Sequence, residues 1–231
     1  MTRDTTPHRK PDTSLPQATP DARLERIRLV VGDITKLPDE LGVDVIVNAA
    51  NEELGGGAGV DGAIHDAAGS GLMDYTDVNF PKGCPTGSAV VTPAFGLEAR
   101  GIRHILHAVG PVWSGLQDTG VPGAPGDDSA KLGYTYEDTM LASCYTRCLQ
   151  LATQLQARAV AFPAISTGVY GFPKPRAARI ALGHVLGHFQ QRPAPAYPEA
   201  AVFVCFNDED AVVYREAIET RDAWMFTTRR A

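Results

Sequence analysis

A glycine-rich loop after a short apolar run is the segment of this sequence best suited to chemistry. It covers residues 48–62 (NAANEELGGGAGVDG), with four glycines between Gly55 and Gly59. Glycine lets the backbone approach a ligand closely, and the N–H groups of the loop and of a following helix can bind an anion. The loop is neither a Walker loop nor a clean GxGxxG dinucleotide fingerprint. The pattern favours a diphosphate site, with a flexible turn as the alternative.

A second loop, residues 165–171 (ISTGVYG), offers hydroxyls, two glycines and an aromatic ring before another predicted helix. Taken alone, it is typical of an ordinary strand-to-helix turn. Two anion-binding loops on one rim indicate a ligand with two linked phosphates.

Two carboxylates, Asp33 and Asp61, stand beside predicted helix starts. Each has a structural interpretation, because Asp33 could cap a short helix and Asp61 could complement a helix dipole. In the functional interpretation, a carboxylate in such a loop orients or deprotonates water, or stabilises positive charge that develops on a substrate. We predict structural roles for His65, on a helix that runs inward, and for His107, on an apolar strand.

Strands alternate with helices along the chain. Strands are predicted at 27–31, 43–47, 88–93, 103–109, 159–163 and 201–206, and helices at 60–68, 136–156, 175–190 and 208–220. This rhythm predicts a three-layer α/β/α fold with a mixed, largely parallel central sheet. Ligands of such sheets bind beyond the carboxyl ends of the strands. Loops after Val31, Val47, Pro163 and Phe206 are therefore expected to meet in one crevice.

The chain is predicted to form one domain over residues 25–222. Residues 1–24 contain four prolines and little to bury, which predicts a disordered leader, and residues 223–231 form a C-terminal tail. Residues 114–133, rich in Gly, Pro and Asp, predict a long surface loop.

Charge and composition limit the partners. The net charge is −6, and residues 27–220 carry 13 basic against 22 acidic residues. A domain this acidic makes a nucleic-acid partner unlikely, whereas backbone N–H groups can still bind a small anion. The sequence has no membrane-length apolar stretch and no apolar signal core, which predicts a cytoplasmic protein without a membrane partner.

Four cysteines are too few for a disulfide scaffold of this size. Cys144 and Cys148 fall on the apolar face of the predicted helix 136–156, which favours core packing over metal binding. No motif requires a metal or a cofactor.

Six short motifs occur in an order that resembles macrodomains, most closely the MacroD-type class, which hydrolyses ADP-ribose linkages. They are GDIT (32–35), NAAN (48–51), GAGVDGAIH (57–65), CPTG (84–87), HAVGP (107–111) and AISTGVYG (164–171). The resemblance spans roughly residues 27–218, and the spaced set is far more specific than any one motif. The first loop lacks the Cys/His cluster of the zinc-dependent branch, which argues against that branch.

The resemblance implies a role for each position. Asp33, with the backbone of Ile34, would recognise the adenine amino group, and Phe206 would stack near the adenine. Asn51 would hold the distal ribose, and Asp61 would lie beside its anomeric carbon as the catalytic carboxylate.

The two loops would enclose the rest of the ligand, and Tyr170 would cover the distal ribose. The backbone that would wrap the diphosphate comes from Gly57, Ala58, Gly59 and Val60 on one side and from Ser166, Thr167, Gly168 and Val169 on the other. Three features depart from the family pattern: Ala58 in place of a glycine, Glu52 and Glu53 near the rim, and the long 114–133 segment.

The resemblance therefore implies a hydrolase that binds ADP-ribose, removes mono-ADP-ribose from acidic side chains of proteins, and deacetylates O-acetyl-ADP-ribose. Both substrates are esters on the distal ribose. One alternative is a non-catalytic reader of ADP-ribosylated proteins, which would need the loops but not Asp61. Another is a hydrolase of ADP-ribose-phosphate or nucleic-acid-linked ADP-ribose. Whether Asp61 or a phosphate of the substrate activates the water stays open at this point.

Overall fold

A computed structural model describes residues 21–115 and 135–222 of the chain. Its single sheet has six strands in the order β1-β6-β5-β2-β4-β3. The strands are β1 (Ile27–Val31), β2 (Val43–Ala50), β3 (Ala89–Pro93), β4 (His104–Val109), β5 (Ala159–Phe162) and β6 (Ala200–Cys205). All neighbouring strands are parallel except β3, which pairs antiparallel with β4 at the edge. The mixed, largely parallel sheet predicted from the sequence is confirmed.

Five α-helices cover the two faces of the sheet. They are α1 (Val60–Ala68), α2 (Ser70–Asn79), α3 (Tyr136–Gln154), α4 (Lys174–Gln191) and α5 (Asp208–Glu219). Helices α1 and α2 pack on one face, and α3, α4 and α5 pack on the other. This arrangement is the predicted three-layer α/β/α fold.

Strand β2 illustrates why the sheet is buried on both faces. Val45 and Val47 belong to the core beneath α3–α5, and Ile46 belongs to the core beneath α1 and α2. All three are fully buried. Successive side chains of a strand point to opposite faces, so a continuous apolar run fits a strand covered by helices on both sides.

Local sequence signals determine where the helices begin. Thr135 and Asp138 form a capping box at the start of α3, and the Asn207 side chain caps α5 by accepting from the N–H of Asp210. Along α3, Cys144 and Cys148 are fully buried in the core, as their helical spacing predicted. Among residues 21–115 and 135–222, no group of three or more His, Cys, Asp or Glu is placed to hold a metal ion.

The sequence patterns predicted both ends of every strand to within three residues, but they did not predict α2. Residues 1–20 of the predicted leader, residues 116–133 of the predicted surface loop and the tail 223–231 lie outside the described residues. The first described residues already contact the domain, since Arg23 donates a hydrogen bond to the Gln190 side chain. No helix in the described ranges is long and apolar enough to cross a membrane.

Candidate functional site

A cavity of about 870 Å³ opens at the carboxyl ends of the parallel strands. The loops after β1, β2, β5 and β6 all contribute to it, as the sequence predicted. Every residue that the sequence analysis assigned to the site lines this cavity: Asp33, Ile34, Asn51, Gly57, Ala58, Gly59, Val60, Asp61, Ser166, Thr167, Gly168, Val169, Tyr170 and Phe206. The sheet topology therefore brings together residues that are 173 positions apart.

The first loop is held in shape by the Asn51 side chain. Its Nδ2 donates to the carbonyl oxygen of Gly56 at 2.7 Å, and its Oδ1 accepts from the N–H of Gly55 at 3.2 Å. The loop enters α1 through Gly59, which adopts a φ of +66° and provides no side-chain cap. The first N–H groups of a helix have no partner within the helix. The N-terminus of α1 therefore presents backbone donors beside the cavity.

Asp61, in the first turn of α1, is the buried carboxylate of the site. Its Oδ1 accepts a hydrogen bond from Asn48 Nδ2 at 2.7 Å, and His65 Nε2 lies 3.5 Å from the same oxygen. Its Oδ2 faces the first loop, because a Cβ built at Gly57 would lie 3.0 Å from it. Burial raises the pKa of Asp61, while the hydrogen bond from Asn48 and the charge on His65 act in the opposite direction.

Tyr170 lines the same cavity as this carboxylate. Burial raises the pKa of its hydroxyl, and the negative charges of Glu53, Asp61 and Glu52 raise it further. Its phenol therefore stays neutral and can donate a hydrogen bond to a ligand near Asp61. The backbone carbonyl of Tyr170 accepts from the N–H of Trp113, which ties the second loop to the chain after β4.

The second loop turns at Ser166, which adopts a φ of +66° although it is not glycine. Its side chain is buried, and its Oγ has no hydrogen-bond partner within the described chain. Gly110 packs against it so closely that a Cβ at position 110 would lie 2.1 Å from this oxygen. The N–H groups of Gly168, Val169 and Tyr170 make no hydrogen bond to any described residue. The turn thus leaves backbone donors free at the cavity.

Asp33, just after β1, also lines the cavity. It caps the 3-10 helix Ile34–Lys36 by accepting from the N–H and Oγ1 of Thr35, as its structural interpretation predicted. Desolvation raises the pKa of Asp33, but hydrogen bonds from Lys36 and Thr35 outweigh it and lower that pKa to about 2. An ionised carboxylate with remaining lone pairs therefore lines the cavity.

Comparison with known proteins supports this geometry. Residues 47–181 match the Macro domain family. A macro domain-containing protein of Mesorhizobium japonicum is 45% identical over 195 residues, which cover 84% of this chain and 94% of the relative. This chain belongs to the Macro domain family. An Escherichia coli K12 relative named O-acetyl-ADP-ribose deacetylase is 44% identical over 195 residues, covering 84% of this chain and 95% of that protein.

Solved structures of the family superpose on this macrodomain. A Trypanosoma brucei macrodomain in complex with ADP-ribose has a TM-score of 0.69 and 33% identity, covering 86% of this chain and 72% of that one. An Oceanobacillus iheyensis macrodomain with ADP has a TM-score of 0.67 and 35% identity, covering 84% and 90% of the two chains.

The structure of this macrodomain places further residues in the cavity that the sequence analysis did not predict. Lys174, at the start of α4, and Asp210, in the first turn of α5, form an ion pair at the rim beside Phe206. Of the described residues that line the cavity, Lys174 is the one Lys or Arg, and its charge is already paired. An anionic ligand would therefore depend on backbone N–H groups rather than on basic side chains. Nothing in the motif spacing indicates this pair, because it joins the starts of two helices, α4 and α5, that are distant in the sequence.

The departures from the family pattern have structural explanations. The positive φ angles of the first loop fall on Leu54, Gly56 and Gly59 rather than on Ala58, so the alanine introduces no backbone strain. Glu52 accepts hydrogen bonds from the N–H and Oγ1 of Thr86, and these bonds lower the pKa of Glu52. Glu52 therefore attaches the rim of the site to the segment that precedes β3.

Proposed function

We propose that this macrodomain is a hydrolase that binds ADP-ribose and cleaves esters on its distal ribose. Its substrates would be O-acetyl-ADP-ribose and proteins that carry mono-ADP-ribose on acidic side chains. The observation that carries the proposal is the position of Asp61, a buried carboxylate at the wall of a cavity flanked by two loops with free N–H donors. The name of the Escherichia coli relative and the ligand of the Trypanosoma brucei structure support it independently.

The cavity is suited to a dinucleotide-like ligand with two different ends. At one end, Asp33 and the exposed ring of Phe206 provide an acceptor and a stacking surface for an adenine. In the middle, the N–H groups of the two loops would bind the diphosphate. At the other end, Asn51, Asp61 and Tyr170 surround the space for the distal ribose.

The chemistry would depend on a water molecule beside the ester. Ionised Asp61 would orient this water and accept its proton while the water oxygen bonds to the reacting carbon. The ester bond then breaks, Asp61 returns the proton to the departing oxygen, and ADP-ribose and a free carboxylic acid leave. Tyr170 and Asn51 would hold the ribose hydroxyls, which keeps the reacting carbon within reach of the water.

A substrate panel tests the proposal. We expect purified protein to release acetate from O-acetyl-ADP-ribose and ADP-ribose from a protein modified on glutamate. We expect no release from an arginine-linked conjugate, because an N-glycosidic bond is not an ester. ADP-ribose binding is measured in parallel by calorimetry. Saturable binding without release from any ester would identify a reader, and release only from ADP-ribose-phosphate or a nucleic-acid conjugate would identify the other hydrolase class.

A second prediction concerns the adenine end. If Asp33 accepts a hydrogen bond from the adenine amino group, wild type should bind ADP-ribose about tenfold more tightly than its inosine analogue, which lacks that group. Asp33→Ala should remove this preference and, through loss of the helix cap, lower the free energy of unfolding by about 1 kcal/mol. Calorimetric titration with both ligands and thermal unfolding measure the two effects.

Asp33→Asn is the matched control, because asparagine caps helices as well as aspartate does. It should keep wild-type stability while its uncharged oxygen retains part of the preference. Equal preference for the adenine ligand in wild type and in Asp33→Ala would mean that Asp33 caps the 3-10 helix but does not bind the adenine.

A further inference from the structure

A buried chain of hydrogen-bonded polar side chains runs from strand to strand over β3, β4 and β2 and ends at Asp61. It begins at Thr92 on β3, continues through His107 on β4 and Asn48 on β2, and reaches Asp61 on α1. Thr92 Oγ1 lies 3.0 Å from His107 Nε2, Asn48 Nδ2 lies 3.1 Å from His107 Nδ1, and the same Nδ2 lies 2.7 Å from Asp61 Oδ1. Asn48 and His107 are direct partners in the β2–β4 register. All four are at least 95% buried.

The donors and acceptors of this chain have one consistent direction. The Thr92 hydroxyl donates to the backbone carbonyl of Pro93 at 2.9 Å, so its oxygen accepts from His107 Nε2–H. His107 Nδ1 is then unprotonated and accepts one hydrogen of the Asn48 amide. The other hydrogen of that amide is donated to Asp61 Oδ1. The tautomer of His107 therefore determines which way the Asn48 amide points.

The environment of His107 maintains this tautomer. Burial and, to a smaller extent, the nearby charge on His65 together lower the pKa of His107 to about 3, so the ring stays neutral. The groups that face Asp61 are Asn48 from β2, His65 from its own helix and Tyr170 from the second loop. Thr92, His107 and Asn48 do not line the cavity, so they do not touch a ligand bound there.

We propose that Thr92 and His107 are positioning residues for the hydrolysis, because they orient the Asn48 amide that holds Asp61 Oδ1 and leaves Oδ2 facing the site. This inference rests on the proposed function. In the absence of the Thr92 acceptor, the hydrogen of His107 would move to Nδ1 and face the Asn48 donor. The amide would then rotate and point its oxygen at the carboxylate. Two acceptors in contact favour a protonated Asp61.

The Thr92→Val variant tests the inference, since it removes the hydroxyl and keeps the side-chain shape. At pH values on the acidic limb of the pH–rate profile, we expect its turnover on O-acetyl-ADP-ribose to fall about tenfold, with KM and the Kd for ADP-ribose within about twofold of wild type. The acidic limb of its pH–rate profile should move up by about one pH unit, which corresponds to that tenfold change. Thr92→Ser keeps the acceptor and should restore both the rate and the profile.

Thr76→Val is the matched control for a general loss of stability. Thr76 is as buried as Thr92, but its hydroxyl donates to the Met73 carbonyl within α2 at 2.9 Å and to the Leu54 carbonyl at 3.4 Å, and it lies outside the chain that reaches Asp61. Its melting temperature should fall while its pH profile stays that of wild type. A Thr92→Val profile that coincides with this control would overturn the proposal.

Nitrogen-15 NMR of the histidine rings in wild type measures the tautomer of His107 directly and does not depend on whether the variants fold. We expect His107 to show a protonated Nε2 and an unprotonated Nδ1 from pH 5 to pH 9. A His107 ring with its proton on Nδ1, or one that titrates in this range, would also overturn it. Wild type without ester hydrolysis would instead count against the proposed function, and the NMR result would still decide the tautomer.

Discussion

Asp61→Asn is expected to lower the turnover of both proposed ester substrates at least about a hundredfold, in the range typical for the loss of a general base. Its affinity for ADP-ribose should stay within about threefold of wild type. Asparagine has the shape of aspartate, and its oxygen can still accept from Asn48 Nδ2. What it lacks is the ability to accept a proton from water. Initial rates and calorimetric titrations measure the two quantities separately.

The turnover of wild type should change with pH in a definite direction. Only ionised Asp61 can act as a base, and burial raises its pKa. The turnover of wild type should therefore fall as the pH decreases through a value above the ordinary range of aspartate. Asp61→Asn and Asp61→Ala should have no such acidic limb, because they have no carboxylate to protonate.

Asp66→Asn is the control, since Asp66 lies on the same helix but is exposed to solvent. It should keep wild-type turnover. If Asp61→Ala failed to bind ADP-ribose, the assignment of Asp61 as a catalytic residue would lose its support. If Asp61→Asn lost less than tenfold in turnover, a phosphate of the substrate, rather than Asp61, would be the group that activates the water.

Gly110→Ala is expected to weaken ADP-ribose binding at least about tenfold. The added Cβ would lie 2.1 Å from Ser166 Oγ and 2.6 Å from Ile165 Cγ2, closer than any nonbonded atoms can approach. Because this contact is buried, the second loop has to shift from its position, and its free N–H groups shift with it. Overpacking of this kind also lowers the free energy of unfolding by about 1–3 kcal/mol. Calorimetry and thermal unfolding measure these effects.

Gly187→Ala is the matched control, because it lies on α4 and a Cβ there meets no atom within 4 Å. It should bind ADP-ribose as wild type does. Adding Ser166→Gly to Gly110→Ala removes the closer of the two clashes and tolerates the φ of +66°, so part of the affinity should return. Binding by Gly110→Ala within twofold of wild type would show that the second loop does not need its position against Gly110.

The effects expected for Asp61 and for Gly110 both depend on the orientation of side chains and backbone at the cavity, and not only on the residue types present there. Asp61 needs one oxygen held by Asn48 and the other facing the first loop. Ser166 needs the space that the absent Cβ of Gly110 leaves. The proposed catalytic carboxylate therefore depends on a residue of β2, and the proposed anion-binding loop depends on the residue directly after β4.

The sequence by itself determined the layered fold and the set of loops that meet at the site. Strand and helix patterns are local, and the loops after Val31 and Val47 were recognisable from their own glycines and polar residues. In a parallel sheet the carboxyl ends of the strands share one edge, so loops placed there must come together. Asp33, Asp61 and Tyr170 could be assigned to one cavity for this reason.

Only the tertiary structure decided how these residues are held. Asn48 and His107 are 59 positions apart, and their contact follows from the pairing of β2 with β4. The close approach of Gly110 to Ser166 and the Lys174–Asp210 ion pair likewise join segments from different strands and helices. Burial and hydrogen-bond direction depend on every neighbour that packs around a group. No pattern along the chain contains that information, so the orientation of Asp61 could be found only once the sheet and its helices were assembled.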